Sequence, residues 1–261
     1  MALSGAGRQP SVSVVIPAKD DALFLERCLE CLAGQTTAVD ELIVVDNGSH
    51  DLTPIVAAWW NAVYLYEPTP GIAAAASAGY DAAGYDLIAR LDADSEPPSD
   101  WVAQLIAAFV DDPKLDAVTG PGRFPTLPRR SRALADRAYL RPYFTLMGRM
   151  LGHPPLFGSN FAMTREAWRA AGGSIHRRDP EVHDDLDLSF RLPRESKVLL
   201  EPGLTVAISA RPFSSPRLMA RRVRRGVHTV WVNRDVMLAR HRASAAARRP
   251  SRGWKARNSG G

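Results

Sequence analysis

Asp92-Ala93-Asp94 follows directly on a short apolar run, Tyr85 to Leu91. The run reads as a strand feeding a loop, so two carboxylates emerge at one mouth, where they can share a divalent cation. Hard oxygen ligands of this kind suit Mg²⁺ or Mn²⁺ holding a diphosphate. A second acidic group, Asp184-Asp185-Leu186-Asp187, lies about ninety residues further on. Carboxylates packed together repel one another, which can raise the pKa of one toward that of a working base. Structural uses compete with this chemistry. Asp184 can cap a helix running through Phe190, Asp187 can pair with Arg191 at i,i+4, and Gly158-Ser159-Asn160 consists of turn formers. Cys28 and Cys31 form a Cys-x-x-Cys pair, but Phe24, Cys28 and Leu32 recur at helical spacing and no second pair exists to complete a zinc site. They are expected to be structural thiols.

The elements that must position these groups alternate. Val12 to Ile16, Glu41 to Val45, Val63 to Tyr66 and Tyr85 to Leu91 have strand character, while 21–32, 52–60, 72–83 and 98–110 have helical character. This alternation predicts a parallel sheet with right-handed crossovers. Ligands of such sheets bind beyond the carboxyl ends of the strands. Three polar clusters fall at those ends: Pro17 to Asp21, Asp46 to Ser49, and Asp92 to Glu96. The first turn has neither Gly-x-Gly-x-x-Gly nor Gly-Lys-Ser/Thr, which argues against a dinucleotide fold and a Walker-type ATPase. Past Val118 the alternation fades. A Pro- and Arg-rich insert follows, with one helix expected at about 132–150, then a helix carrying Trp168 and stopped by Gly172-Gly173.

With 46% hydrophobic residues among 261, the chain can bury a sizeable core. It has no run of about 20 apolar residues to span a bilayer, and Met1 to Pro10 lacks the apolar segment of a secretory signal, so a cytoplasmic location is the default expectation. Charge is divided sharply. Residues 1–122 carry 5 Lys/Arg against 18 Asp/Glu, whereas residues 123–261 carry 28 against 10. That imbalance points to an anionic partner. Met219, Val223, Val227, Val230 and Trp231 recur at helical spacing beside several arginines. Such a helix can lie on an anionic membrane surface, present a solvated basic face, or pack on the catalytic domain with its arginines near a diphosphate. Nucleic-acid binding through the Arg-rich tail is the less favoured use.

Five segments in order resemble glycosyltransferase family 2, the inverting nucleotide-sugar enzymes of the GT-A fold. They are Val12 to Asp21, Glu41 to Asp51, Ala89 to Asp94, Gly158 to Asn160, and Asp184 to Leu188. The resemblance covers roughly residues 11–210. It implies an α/β fold, a Rossmann-like, mostly parallel sheet flanked by helices, with a smaller acceptor-side region. It implies a nucleotide-sugar half at 11–120 and an acceptor half at 121–210. Around these, residues 1–10 are expected to be disordered, 211–243 to form a basic amphipathic helical extension, and 244–261 a disordered tail. By the same resemblance, Pro17, Ala18, Lys19 and Asp21 line the nucleotide base and ribose, Asp46 accepts a hydrogen bond from the base, and Asp92 faces ribose and donor sugar. Asp94 is the main ligand of Mn²⁺ or Mg²⁺, with Glu96 a secondary one. Gly158, Ser159, Asn160 and Asp184 serve the acceptor, and Asp185 is the general base. The implied partners are a UDP- or GDP-linked sugar and a hydroxyl acceptor, which a lipid can carry, while the basic helix adds the expectation of peripheral contact with an anionic cytoplasmic membrane.

The chain departs from the family pattern at three places. Asp20 and Asp21 stand where Asn and Glu are usual. The helix at Gly71 lacks an Arg-Asn pair. Ser209-Ala210-Arg211 stands where some relatives supply a metal-binding His, which leaves fewer side chains and more water for a metal; His228 lies further on, but a lone His is more often a structural residue than a ligand. The competing functions are a sugar nucleotidyltransferase, which would want a glycine-rich phosphate loop after the first strand, and a non-catalytic nucleotide-sugar-binding protein, against which the intact Asp92, Asp94 and Asp185 argue.

Overall fold

The computed structural model describes residues 8–128, 130, 141–211 and 215–239. Strand β1 (Val12–Ala18) is buried at every position, as a central parallel strand covered on both faces requires. Its side chains divide by alternation. Val12, Val14 and Ile16 join a core with helices α1 (Ala22–Ala33) and α4 (Trp101–Asp111), while Val15 faces the opposite core with α3 (Ile72–Ala82). Strands β2 (Glu41–Asp46) and β3 (Val63–Tyr66), separated by α2 (Thr53–Trp59), extend the sheet on one side. Strand β4 (Leu87–Arg90) joins β1 on the other.

The full order of the seven-stranded sheet is β3-β2-β1-β4-β8-β6-β9, with β6 (Ala117–Thr119), β8 (Phe161–Thr164) and β9 (Val198–Leu200) completing it. Strands β1 to β4 are mutually parallel, as the alternation predicts. Strand β8 runs antiparallel to both β4 and β6, which the fading pattern after Val118 does not reveal. The inversion has a use: it brings residues 158–160, at the start of β8, beside the carboxyl end of β4. The chain moves outward from β1 to β3 and then returns to the far side of β1 as β4. The crevice of such a sheet lies at that reversal, outside the ends of β1 and β4.

A small second sheet, β5-β10-β7, joins β5 (Ser95–Glu96), β10 (Val206–Ile208) and β7 (Gly122–Arg123). Further helices are α5 (Arg141–Leu151), α6 (Arg165–Ala171), α7 (Asp184–Arg191) and α8 (Pro216–Val232). The first part of the helix expected at 132–150 and the expected tail at 244–261 lie outside the described residues, as do residues 1–7. Arg8, by contrast, pairs with Asp86 at 2.6 Å. Both cysteines are free, and Cys28 is buried in the core. Burial first, then neighbouring Cys31 and carboxylates, push the Cys28 thiol well above its ordinary range, which suits an inert packing residue.

Helix α3 approaches the sheet through Gly79. A Cβ there would fall against Val15 Cγ1 and within 2.9 Å of Val45 Cγ2. Gly79→Val is therefore expected to overpack this contact and lower stability by about 3 kcal/mol, read as a lower urea midpoint. An unchanged midpoint would show that α3 can lift without penalty.

Candidate active site

The site assembles around one buried side chain. Arg90, the last residue of β4, is fully buried. Its Nη2 donates to Asp92 Oδ1 at 2.6 Å, its Nη1 donates to Asp184 Oδ2 at 2.6 Å and to the Tyr80 hydroxyl at 3.0 Å, and its Nε donates to the Leu91 carbonyl. Burial disfavours the cation, but the surrounding Tyr80, Asp184 and Asp92 oxygens outweigh that and hold the guanidinium charged. The first acidic pair and the second are thereby tied together across the sheet rim.

Asp92 uses both oxygens, since Oδ2 accepts from Ser159 Oγ at 2.6 Å. Burial alone would raise its pKa, but Arg90 and Ser159 hold it below the usual carboxylate range. Asp94 has the opposite balance. Burial and the Asp92 charge push it up, and Arg211 only partly offsets them. Arg211 Nη2 meets Asp94 Oδ2 at 3.0 Å while its Nη1 meets Asp21 Oδ1 at 2.6 Å, and the guanidinium lies 4.3 Å from the Phe24 ring centroid.

Asp185 sits in the first turn of α7. Its Oδ2 accepts the Gly158 N–H at 2.8 Å and its Oδ1 the Leu186 N–H at 2.7 Å. Burial, followed by the adjacent Asp184 charge, raises its pKa against the opposing pull of His183 and Arg222. Helix α8 clamps this turn. His183 N donates to Thr229 Oγ1, His183 Nε2 donates to the Arg222 carbonyl, and Arg225 Nη2 donates to the Val182 carbonyl at 2.6 Å. The basic extension is thus part of the same wall.

These groups line one cavity of about 570 Å³. Pro17, Ala18, Lys19 and Asp21 come from the β1 end, Asp92 and Asp94 from the β4 end, and Gly158, Asp184 and Asp185 from the other side. Arg211, Arg221, Arg222 and Arg225 close it. Arg225 Nε is buried with no hydrogen-bond partner among the described residues.

Other expected residues do not reach this cavity. Asp46 is buried, and its oxygens take the Ser49 N–H and the Tyr64 hydroxyl, both at 2.8 Å, so it holds the β2 turn while the neighbouring Asn47 lines the cavity. Asn160 is fully buried. It accepts from Trp101 Nε1 and donates to the Leu204 carbonyl, pinning the two sheets rather than facing an acceptor. Ser159 turns to Asp92, leaving Gly158 as the part of that turn on the cavity wall. Glu96 is exposed on β5, outside the lining. The helix cap is His183, so Asp184 is free to meet Arg90. Asp187 does not pair with Arg191: fully buried, it takes His176 and Asn233 instead. His228 pairs with Asp179. Of the three uses the sequence allows the basic helix, the structure has its arginines on the cavity wall, whereas Arg90 is a site residue that the motifs do not point to. The signal for Arg90 is a lone charge inside an otherwise apolar strand.

Among the described residues no three His, Cys, Asp or Glu side chains gather as a metal cage. Asp94 lines the cavity, with Arg211 on its Oδ2, and is the lining carboxylate that the strand-end pattern would offer a cation. One carboxylate fits Mg²⁺-type binding, in which substrate phosphates and water complete the shell.

The family model described as Glycosyl transferase family 2 matches residues 13–170. Glycosyltransferase AglE of Haloferax volcanii is 30% identical over 108 residues, 38% of this chain and 36% of that protein. Hyaluronan synthase of Pasteurella multocida is 31% identical over 206 residues, 74% of this chain and 20% of that protein. The chain therefore matches well under half the length of these relatives. The crystal structure of glucosyl-3-phosphoglycerate synthase from Mycobacterium tuberculosis superposes with a TM-score of 0.63 at 22% identity, covering 87% of this chain and 81% of the other.

Removing one partner of a buried ion pair costs about 3–5 kcal/mol, so Arg90→Met is expected to lose that much at neutral pH. Asp92 is depressed in the folded state, so its share of this stabilisation is complete above the unfolded carboxyl pKa of about 3.9 and drains away as pH falls through the native value. Denaturation midpoints of wild type and variant should converge in acid. A gap independent of pH would contradict the assignment.

Proposed function

The chain belongs to glycosyl transferase family 2, and we propose that it moves a sugar from a nucleotide-diphosphate sugar to a hydroxyl acceptor with inversion at the anomeric carbon, Asp185 being the general base. The observation that carries this reading is the sorting of carboxylates around one cavity. Asp92 is fully hydrogen-bonded and held ionised, Asp94 faces the cavity from the β4 end, and Asp185 faces it from α7 with a raised pKa. Pairs of acids pushed apart in pKa by their surroundings are how one site divides its labour.

In this reading the Gly158 and Leu186 N–H groups fix the Asp185 carboxylate, which takes the acceptor hydroxyl proton. The acceptor oxygen forms its bond to the anomeric carbon as the bond to the diphosphate breaks, and the electron pair departs on the diphosphate. Lys19, Arg221, Arg222 and Arg225 supply positive charge to that leaving group. Mn²⁺ or Mg²⁺ on Asp94 would further neutralise the diphosphate. The glucosyl-3-phosphoglycerate synthase was crystallised with Mn²⁺ and UDP, which supports UDP and a divalent ion here. Arg211 would have to yield Asp94 for the ion to bind through Oδ2. The cytoplasmic location and membrane contact expected from the sequence remain proposals alongside this one; among the described residues no helix is long and apolar enough to cross a membrane.

Asp185→Asn is expected to keep donor binding while turnover falls by roughly 10²–10⁴-fold. The anomeric configuration of the product, read by NMR, should be opposite to that of the donor. Near-normal turnover, or a retained configuration, would overturn the role. The base works ionised, so kcat/KM should fall with decreasing pH along a limb centred above the ordinary Asp value of about 3.9. A profile flat to that value would contradict the raised Asp185.

A further inference from the structure

We propose that the acceptor carries its hydroxyl on an apolar group, an alkyl chain or aryl ring, which seats in a second cavity behind Asp185. This rests on the transferase reading above. The second cavity, of about 390 Å³, lies between α5 and α8, a volume typical of small-molecule sites. Tyr143, Met147 and Met150 form one wall and Val223, Val227 and Val230 the other. Its charged or titratable groups, apart from the Tyr143 phenol, are His183, Asp185 and Arg222, and these same three residues also line the reaction cavity. The two cavities therefore meet at the base.

That meeting point selects the ligand. The acceptor oxygen must lie at Asp185 with the donor on one side, so the rest of the acceptor extends away from the donor into the space between α5 and α8. The Tyr143 hydroxyl is already committed to the Leu156 carbonyl at 3.1 Å. Past His183, Asp185 and Arg222 the walls are apolar, so a polyol extending there would leave its outer hydroxyls without partners, whereas an alkyl or aryl group gains by leaving water. Met147 and Met150 supply unbranched, adaptable surface for such a group. Leu146, Val223 and Val227 are exposed, so the cavity opens to the surface and a longer chain can continue outward.

The test is NMR of the full chain labelled at the methionine methyls, titrated with 1-octanol and, separately, with glycerol. Two cavity-filling variants accompany the wild type. A Cβ built at Gly226 lies 3.8 Å from His183 Cδ2, an ordinary contact, and Phe is a better helix former than Gly, so Gly226→Phe should fold; Met147→Trp repeats the test from α5. Saturable shifts of the Met147 and Met150 signals are expected with 1-octanol and not with glycerol. Octanol binding should weaken by roughly tenfold or more in the filled variants. In transfer assays 1-octanol should be preferred to glycerol by a similar factor. The absence of saturable methionine shifts, undiminished octanol binding in both variants, or equal use of glycerol overturns the proposal. The transferase reading fails by a different sign, no nucleoside diphosphate binding in calorimetry of the same protein, and bound octanol then no longer counts as an acceptor.

Discussion

A guanidinium with no access to water organises this site. An unpaired buried charge is among the most expensive things a fold can contain. Arg90 is tolerated because Asp92 and Asp184 each meet it at 2.6 Å and Tyr80 adds a third oxygen. The constraint runs both ways. The carboxyl end of β4 and the first turn of α7 must stay together, or Arg90 loses its partners. Residues nearly a hundred positions apart are thereby fixed to one rim, and Asp185, next to Asp184, is placed with them.

The same arrangement divides the acids. Asp92 is consumed by Arg90 and Ser159, so it orders the rim rather than serving as an open ligand. All three of Asp92, Asp94 and Asp185 line the cavity, but Asp92 does so with both oxygens already hydrogen-bonded. The division of charge along the chain also finds its physical meaning here. The basic second half closes over the acidic rim of the first, through Arg211 on Asp21 and Asp94 and through the α8 arginines on the cavity wall. An anionic ligand entering between them would meet positive charge already in place and would relieve Arg225, whose Nε lacks a partner among the described residues.

The four parallel strands and their helices were legible because each has a strong local signal, such as the β-branched run at Val12 to Ile16 and the Ala-rich stretch after Gly71. The rim clusters at Asp21 and Asp94 were legible because strand ends carry ligands in such sheets, and Asp185, in the first turn of α7, only through the family resemblance of its segment. The antiparallel insertion of β8 was not, since strand direction depends on partners distant in sequence. Side chains were ambiguous where one residue type has two uses. Asp46 and Asn160 carry site-like chemistry, yet Tyr64 and Trp101 claim it for structure. Asp187 had a local partner available in Arg191, but burial favoured His176 and Asn233. For the α8 arginines the periodicity leaves a membrane face, a solvated face and packing near a diphosphate open, because the contact with α7 that places them on the cavity wall is tertiary.

The most direct test of the account is thermal unfolding of the full chain with UDP, with Mn²⁺ and with both, for the wild type and for Asp94→Asn. Ligands that bind the native state raise Tm. Tm should rise by several degrees with UDP and Mn²⁺ together, more than with either alone, and Asp94→Asn should lose that metal-dependent increment. No rise with any combination, or an undiminished increment in the variant, would contradict it.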